Sequence, residues 1–106
     1  MPDAGLPLRE LQLYVQRVSD RWPIERAHVA AGEPCLVVLV SPGFDGVPWL
    51  ERVYQCGALW DASEMGAPAD VHCYTAAEFE RKRASLRRVR ETADEGIDLF
   101  AEPSAS

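Results

Sequence analysis

Apolar positions along the chain fall into two patterns. Cys35-Leu-Val-Val-Leu-Val40 is a continuous apolar run between Gly32-Glu33-Pro34 and Ser41-Pro42-Gly43, and Asp70-Val-His-Cys-Tyr-Thr75 is a second short run after Gly66-Ala-Pro-Ala69. Runs of this length bounded by turn formers predict buried strands, here lying side by side in one sheet. Ala27 to Ala31 reads as a further short strand, and the few residues between it and Cys35 predict a hairpin, because a parallel connection needs a long crossover. Ile97 to Phe100 adds a last short strand.

Elsewhere the period is helical. Leu8, Leu11, Val15, Val18 and Trp22 recur at three- and four-residue spacing behind Pro7, which predicts an amphipathic helix over 7–21 ended by Pro23. Pro48 opens a second helix bearing Trp49, Leu50, Val53, Tyr54, Leu59 and Trp60, interrupted at Gly57. Thr75 with Glu78 three positions on forms a capping box, so a third helix starts at Ala76, breaks near Ser85 and ends at Gly96. The pattern predicts an α+β fold, a mixed sheet of a hairpin plus further strands packed with three to four helices. Its core spans 7–100, with flexible ends over 1–6 and 101–106.

Composition narrows this picture. At 106 residues and 47% hydrophobic, the chain suits one domain with one core. No apolar run has the length of a membrane span and the N-terminus lacks a signal pattern, so a cytoplasmic protein with no membrane contact is expected. Three cysteines, Cys35, Cys56 and Cys73, read as reduced thiols.

The charge is unevenly placed. Arg81, Lys82, Arg83, Arg87, Arg88 and Arg90 lie within ten positions that contain no acid, whereas the other 96 residues carry five basic and seventeen acidic side chains, a balance of −12. The net charge of −6 argues against a general nucleic-acid coat, and nucleic acid is not the expected partner; the basic segment predicts either a solvated helical face or a contact with an acidic partner or a phosphate backbone.

Candidate chemistry is sparse. The Ser41-Pro-Gly-Phe-Asp-Gly46 loop lacks the lysine of a phosphate-binding loop, and no serine sits in a nucleophile elbow. His28 is a lone histidine on a short strand and receives no functional reading. Asp70 and His72 share one strand face, which would set them near Glu33 and Cys35 across the sheet; those ligand types suit zinc, although their spacing matches no zinc motif.

Asp70-Val-His-Cys-Tyr-Thr-Ala-Ala-Glu-Phe-Glu-Arg-Lys-Arg83, followed by Arg90-Glu91 and Glu95-Gly-Ile-Asp-Leu-Phe100, resembles the C-terminal half of minimal nucleotidyltransferases of the DNA polymerase beta-like superfamily. Leu36-Val-Val-Leu-Val-Ser-Pro-Gly-Phe-Asp-Gly46 and Leu50-Glu-Arg52 are similar to that family's second strand, following loop and helix. The resemblance implies a nucleotidyltransferase-like sheet, with Asp70 as the third of three catalytic carboxylates.

The chain departs from the family at the catalytic insertion. It has no Gly-Ser dipeptide and no Asp-x-Asp pair, whose positions fall on Glu33 and Cys35. Magnesium takes oxygen ligands, so the thiol of Cys35 is a poor substitute and Glu33 and Asp70 are the only metal candidates. The favoured expectation is therefore a degenerate nucleotidyltransferase without a cofactor, leaning away from enzyme activity. Intact relatives are commonly paired with a small helical HEPN protein as antitoxin and toxin, which implies an antitoxin-like or scaffold role on such a protein or on a second copy of the chain. Trp49, Trp60, Arg87 and Arg88 are the candidate contacts. The alternative is a nucleotidyltransferase using Mg²⁺ and a nucleoside triphosphate through Glu33 and Asp70.

Overall fold

The computed structural model describes residues 7–32 and 34–100. Glu33, the metal candidate, and the two ends expected to be flexible lie outside the described residues.

Four strands, β1 (Arg26–Ala30), β2 (Cys35–Val40), β3 (Ala69–Tyr74) and β4 (Ile97–Asp98), form one sheet in the order β3-β2-β1-β4. The expected hairpin is present, with β1 antiparallel to β2 and His28 opposite Val38. β4 joins the far side of β1 antiparallel, and β3 pairs with β2 in parallel.

Among the described residues five α-helices surround the sheet: α1 (Leu8–Ser19), α2 (Trp49–Gly57), α3 (Ala62–Met65), α4 (Ala76–Ser85) and α5 (Arg87–Glu95). That exceeds the three to four expected, for local reasons. Past the end of α2 at Gly57, the Asp61 carboxylate accepts from the Ser63 and Glu64 N–H groups and starts the separate turn α3. Leu86 adopts an extended conformation, φ −115° and ψ 114°, and so divides the basic segment into α4 and α5. The capping box forms, with Thr75 Oγ1 accepting from Glu78 N–H at 3.3 Å and Glu78 Oε1 accepting from Thr75 N–H at 2.8 Å.

The sheet is covered on both faces, which is why β2 has no polar position: all six of its residues are buried. The first face presents Ala27, Val29, Val37, Leu39, Val71 and Cys73 to α1, α2 and α3. Tyr14 of α1 donates its hydroxyl proton to Cys56 O at 2.8 Å and meets the Trp60 ring edge-on at 5.1 Å. Each large side chain buried here contributes about 1.5–3 kcal/mol. The second face presents Leu36, Val38, Val40 and Tyr74 to Phe79 of α4 and Val89 of α5.

Two details close the fold. Trp22 packs on Phe44 at 4.9 Å between ring centroids, sealing the end of α1 against the core. Gly96, between α5 and β4, leaves no room for a side chain, since a Cβ there would stand 2.6 Å from Thr92 O and 2.7 Å from Val29 O. Among the described residues no helix is long and apolar enough to cross a membrane.

Candidate functional site

The polar side chains of β3 converge on the second face. Parallel pairing sets Leu36 beside Asp70, Val38 beside His72 and Val40 beside Tyr74, so Asp70, His72 and Tyr74 stand in one row at the sheet margin. His72 Nδ1 lies 2.8 Å from the Tyr74 hydroxyl and His72 Nε2 lies 3.3 Å from Asp70 Oδ2. The neutral imidazole that satisfies both contacts accepts the Tyr74 proton at Nδ1 and donates to Asp70 from Nε2. Burial pushes the Tyr74 phenol up to about 12, so it remains a donor.

Aromatic and basic groups border this row on its two sides. Trp49, at the start of α2, meets the His72 ring edge-on at 6.0 Å and lies 5.4 Å from the Tyr74 ring. On the other side, Arg88 of α5 approaches Asp70 Oδ2 at 3.9 Å. A continuous strip therefore runs from Trp49 through His72 and Asp70 to Arg88. The helix that carries Trp49 also exposes Leu50, 78% exposed, and Tyr54, 76% exposed, one helical turn apart.

Arg52 holds α2 in place for this arrangement. At the two ends of the β2–β3 pairing, Pro68 O accepts from Cys35 N–H and Tyr74 O from Ser41 N–H, both at 2.9 Å, so the alternate Cys73 carbonyl points away from β2. Arg52 Nη1 donates to it at 3.0 Å and to Glu78 Oε1 at 2.7 Å, while Nε donates to Val47 O at 2.8 Å. One buried guanidinium thus joins α2, the edge of β3 and the start of α4. Its hydrogen bonds hold the Glu78 carboxyl below the usual carboxylate range.

The metal reading does not assemble among the described residues. Cys35 is opposite Ala69 and belongs to the first-face core, so it lies across the sheet from Asp70 and His72 rather than beside them. The residues sharing the face of Asp70 on β2 are Leu36 and Val38, neither of which has a ligating atom. No three His, Cys, Asp or Glu of the described residues are placed to hold an ion. Asp70 instead faces His72 and Arg88.

The other candidates separate as well. Trp60 is half-buried on the first face, where it packs against the core and donates from Nε1 to Ala67 O at 2.9 Å. Arg87 is exposed on α5 and pairs with Glu91 at 3.0 Å. All three cysteines are free and buried, and the neighbouring Cys56 thiol and burial push the Cys73 thiol up, so it stays protonated.

A groove of about 460 Å³ opens between α5 and the β1–β2 end of the sheet, with Val29, Leu36 and Ile97 on its floor and Arg88, Glu91 and Glu95 among its lining. Arg88 is common to the groove and the strip. Sequence reasoning missed Arg52 as an organiser. Its only trace in the sequence is a cation three residues after Trp49 on a helix whose apolar stripe faces inward.

No family model, curated protein or solved structure matches the chain.

Proposed function

We propose that this chain is a catalytically degenerate protein of nucleotidyltransferase type that works by binding a protein partner, in an antitoxin-like or scaffold role. The observation that carries the reading is the strip itself. It sets Trp49 against His72 and leads through Asp70 to Arg88 at the basic start of α5, and the helix that carries Trp49 also exposes the apolar side chains of Leu50 and Tyr54. An aromatic anchor with an arginine at the far end of one surface is the composition found at energetic centres of interfaces. A small helical protein of the HEPN type is the partner that the family resemblance implies.

The row on β3 supports recognition better than chemistry. Tyr74 is 2% exposed, and its proton is directed at His72 rather than outward. What reaches the surface is a carboxylate held in position by an imidazole and a guanidinium, flanked by an aromatic ring. Such a group accepts hydrogen bonds from a partner at low ordering cost.

The test is made on the complex isolated with the tagged protein from its host. Trp49→Ala and Arg88→Glu each weaken the complex, Trp49→Ala by about 30-fold or more, as expected for a central aromatic anchor. Both variants keep the wild-type circular dichroism spectrum. Undiminished binding by both, or cross-links confined to α1 and α3, overturns the assignment. Transfer of a labelled nucleotide to an acceptor in Mg²⁺, abolished by Asp70→Ala, would instead establish the enzymatic alternative.

A further inference from the structure

His28 occupies the middle of β1 on the second face and is 3% exposed. Its ring lies nearly parallel to Phe79 of α4, 6.0 Å between centroids and 7° between planes. Among the described residues neither ring nitrogen has a hydrogen-bond partner. A neutral imidazole carries one N–H donor and one lone pair, so both polar functions are buried unpaired, which few native side chains tolerate.

The surroundings oppose a proton. Arg26, two residues along β1, and Arg83 of α4 place their guanidinium carbons 5.2 Å and 5.5 Å from the centroid of the Phe79 ring that covers the imidazole. Asp98 of β4 is paired with His28 in register, and Asp94 of α5 also faces it, but neither carboxylate reaches a ring nitrogen. From β2 the neighbour is Val38. An imidazolium in this position, 3% exposed, is shut off from bulk solvent and has no bonded anion among the described residues.

We infer that His28 makes the α4–α5 layer an acid-released cover, whose closed position requires an uncharged imidazole beneath Phe79. Lifting the layer supplies what the closed state withholds, because the ring then reaches water and the carboxylate of Asp98, which stays with the sheet on β4, becomes free to approach it. Arg88 travels with α5, so acidification also dismantles the strip described above. The inference stands on His28 and its packing, not on the partner reading.

The direction follows from linkage. Burial, first, and the two arginines hold His28 below the ordinary imidazole value of 6.5, against the weaker pull of the aspartates. The closed layer therefore has its full stability above that value and loses it as the pH falls below. One proton raises the opening constant by at most about tenfold per pH unit in that window.

Hydrogen exchange of the intact protein tests this at about pH 7.5, 6.5 and 5.5, spanning the range in which histidine titrates, with rates corrected for intrinsic chemistry. Protection over 76–95 is expected to fall by up to about tenfold between the two lower values, while α1 and β2 keep theirs. His28→Leu should flatten that dependence, and His72→Gln, which removes the other histidine, should leave it. Should His28→Leu fail to fold, His28→Gln, which never carries a charge, gives the same readout. An equal fall in the His28 variant, an equal loss over α1, or no loss at all overturns the inference.

Discussion

The two faces of the sheet are built by the same strands, yet they bury different things. The first face is apolar, with α1, α2 and α3 packed on valines, leucines and thiols, and its one buried phenol, Tyr14, is satisfied at 2.8 Å. The second face carries Arg26, His28, Asp70, His72 and Tyr74 beneath or beside two short, charged helices. Its apolar cluster is also the smaller, with six buried residues against fourteen. Stability therefore resides mainly on the first face, and the second retains the titratable and exposed groups through which the molecule can respond to a partner or to pH.

The most damaging way to break this division is to remove the residue that joins the two sides. Arg52 is 7% exposed and ties α2, which packs on the first face, to Glu78 at the start of α4 on the second. Arg52→Met leaves the Cys73 and Val47 carbonyls without this donor and strands the Glu78 carboxylate. Breaking a buried pair costs about 3–5 kcal/mol, and the partial exposure of Glu78 reduces this to about 2–4 kcal/mol. Urea unfolding measures it. A change below about 0.5 kcal/mol, the level of an ordinary surface substitution, would show that the two layers are joined elsewhere.

A finer comparison uses adjacent residues of β2. Val37 and Val38 are both fully buried and belong to the first- and second-face clusters respectively. Each Val→Ala change deletes the same atoms, so the difference reports how well each side is packed. Val37→Ala is expected to cost about 2 kcal/mol and Val38→Ala about 1 kcal/mol, because a layer that can shift closes a cavity more readily. Equal costs would mean that the second face is as rigid as the first.

How far these differences can be read in the sequence depends on the interactions that create them. The apolar run of β2 and the Thr75–Glu78 capping box are legible because their causes lie within a few residues. The split between α4 and α5 is foreshadowed at Ser85-Leu86 for the same reason. The separation of Cys35 from Asp70 is not legible, since only the pairing of Cys35 with Ala69 places them on opposite faces. Trp49 and Trp60 look alike in the pattern, yet one borders the strip while the other meets Tyr14 edge-on in the core. His28 and Arg52 take their meaning wholly from tertiary neighbours, Phe79 for the first and the Cys73 carbonyl for the second.

The smallest expected effect concerns another arginine and sharpens the same contrast. Arg87 pairs with Glu91 at 3.0 Å on the solvent side of α5, with its side chain 80% exposed. Water screens such a pair, and ordering two long side chains offsets much of the attraction, so Arg87→Ala should change stability by less than about 0.5 kcal/mol. Arg52 and Arg87 make ion pairs of similar length, 2.7 Å and 3.0 Å, and differ in what surrounds them. If thermal melting shows Arg87→Ala to be as costly as Arg52→Met, α5 is a structural layer and its charge is not held ready for a partner. If the loss is negligible in the free protein, the cations on this helix are free to serve recognition, because releasing Arg87 from Glu91 costs the fold little.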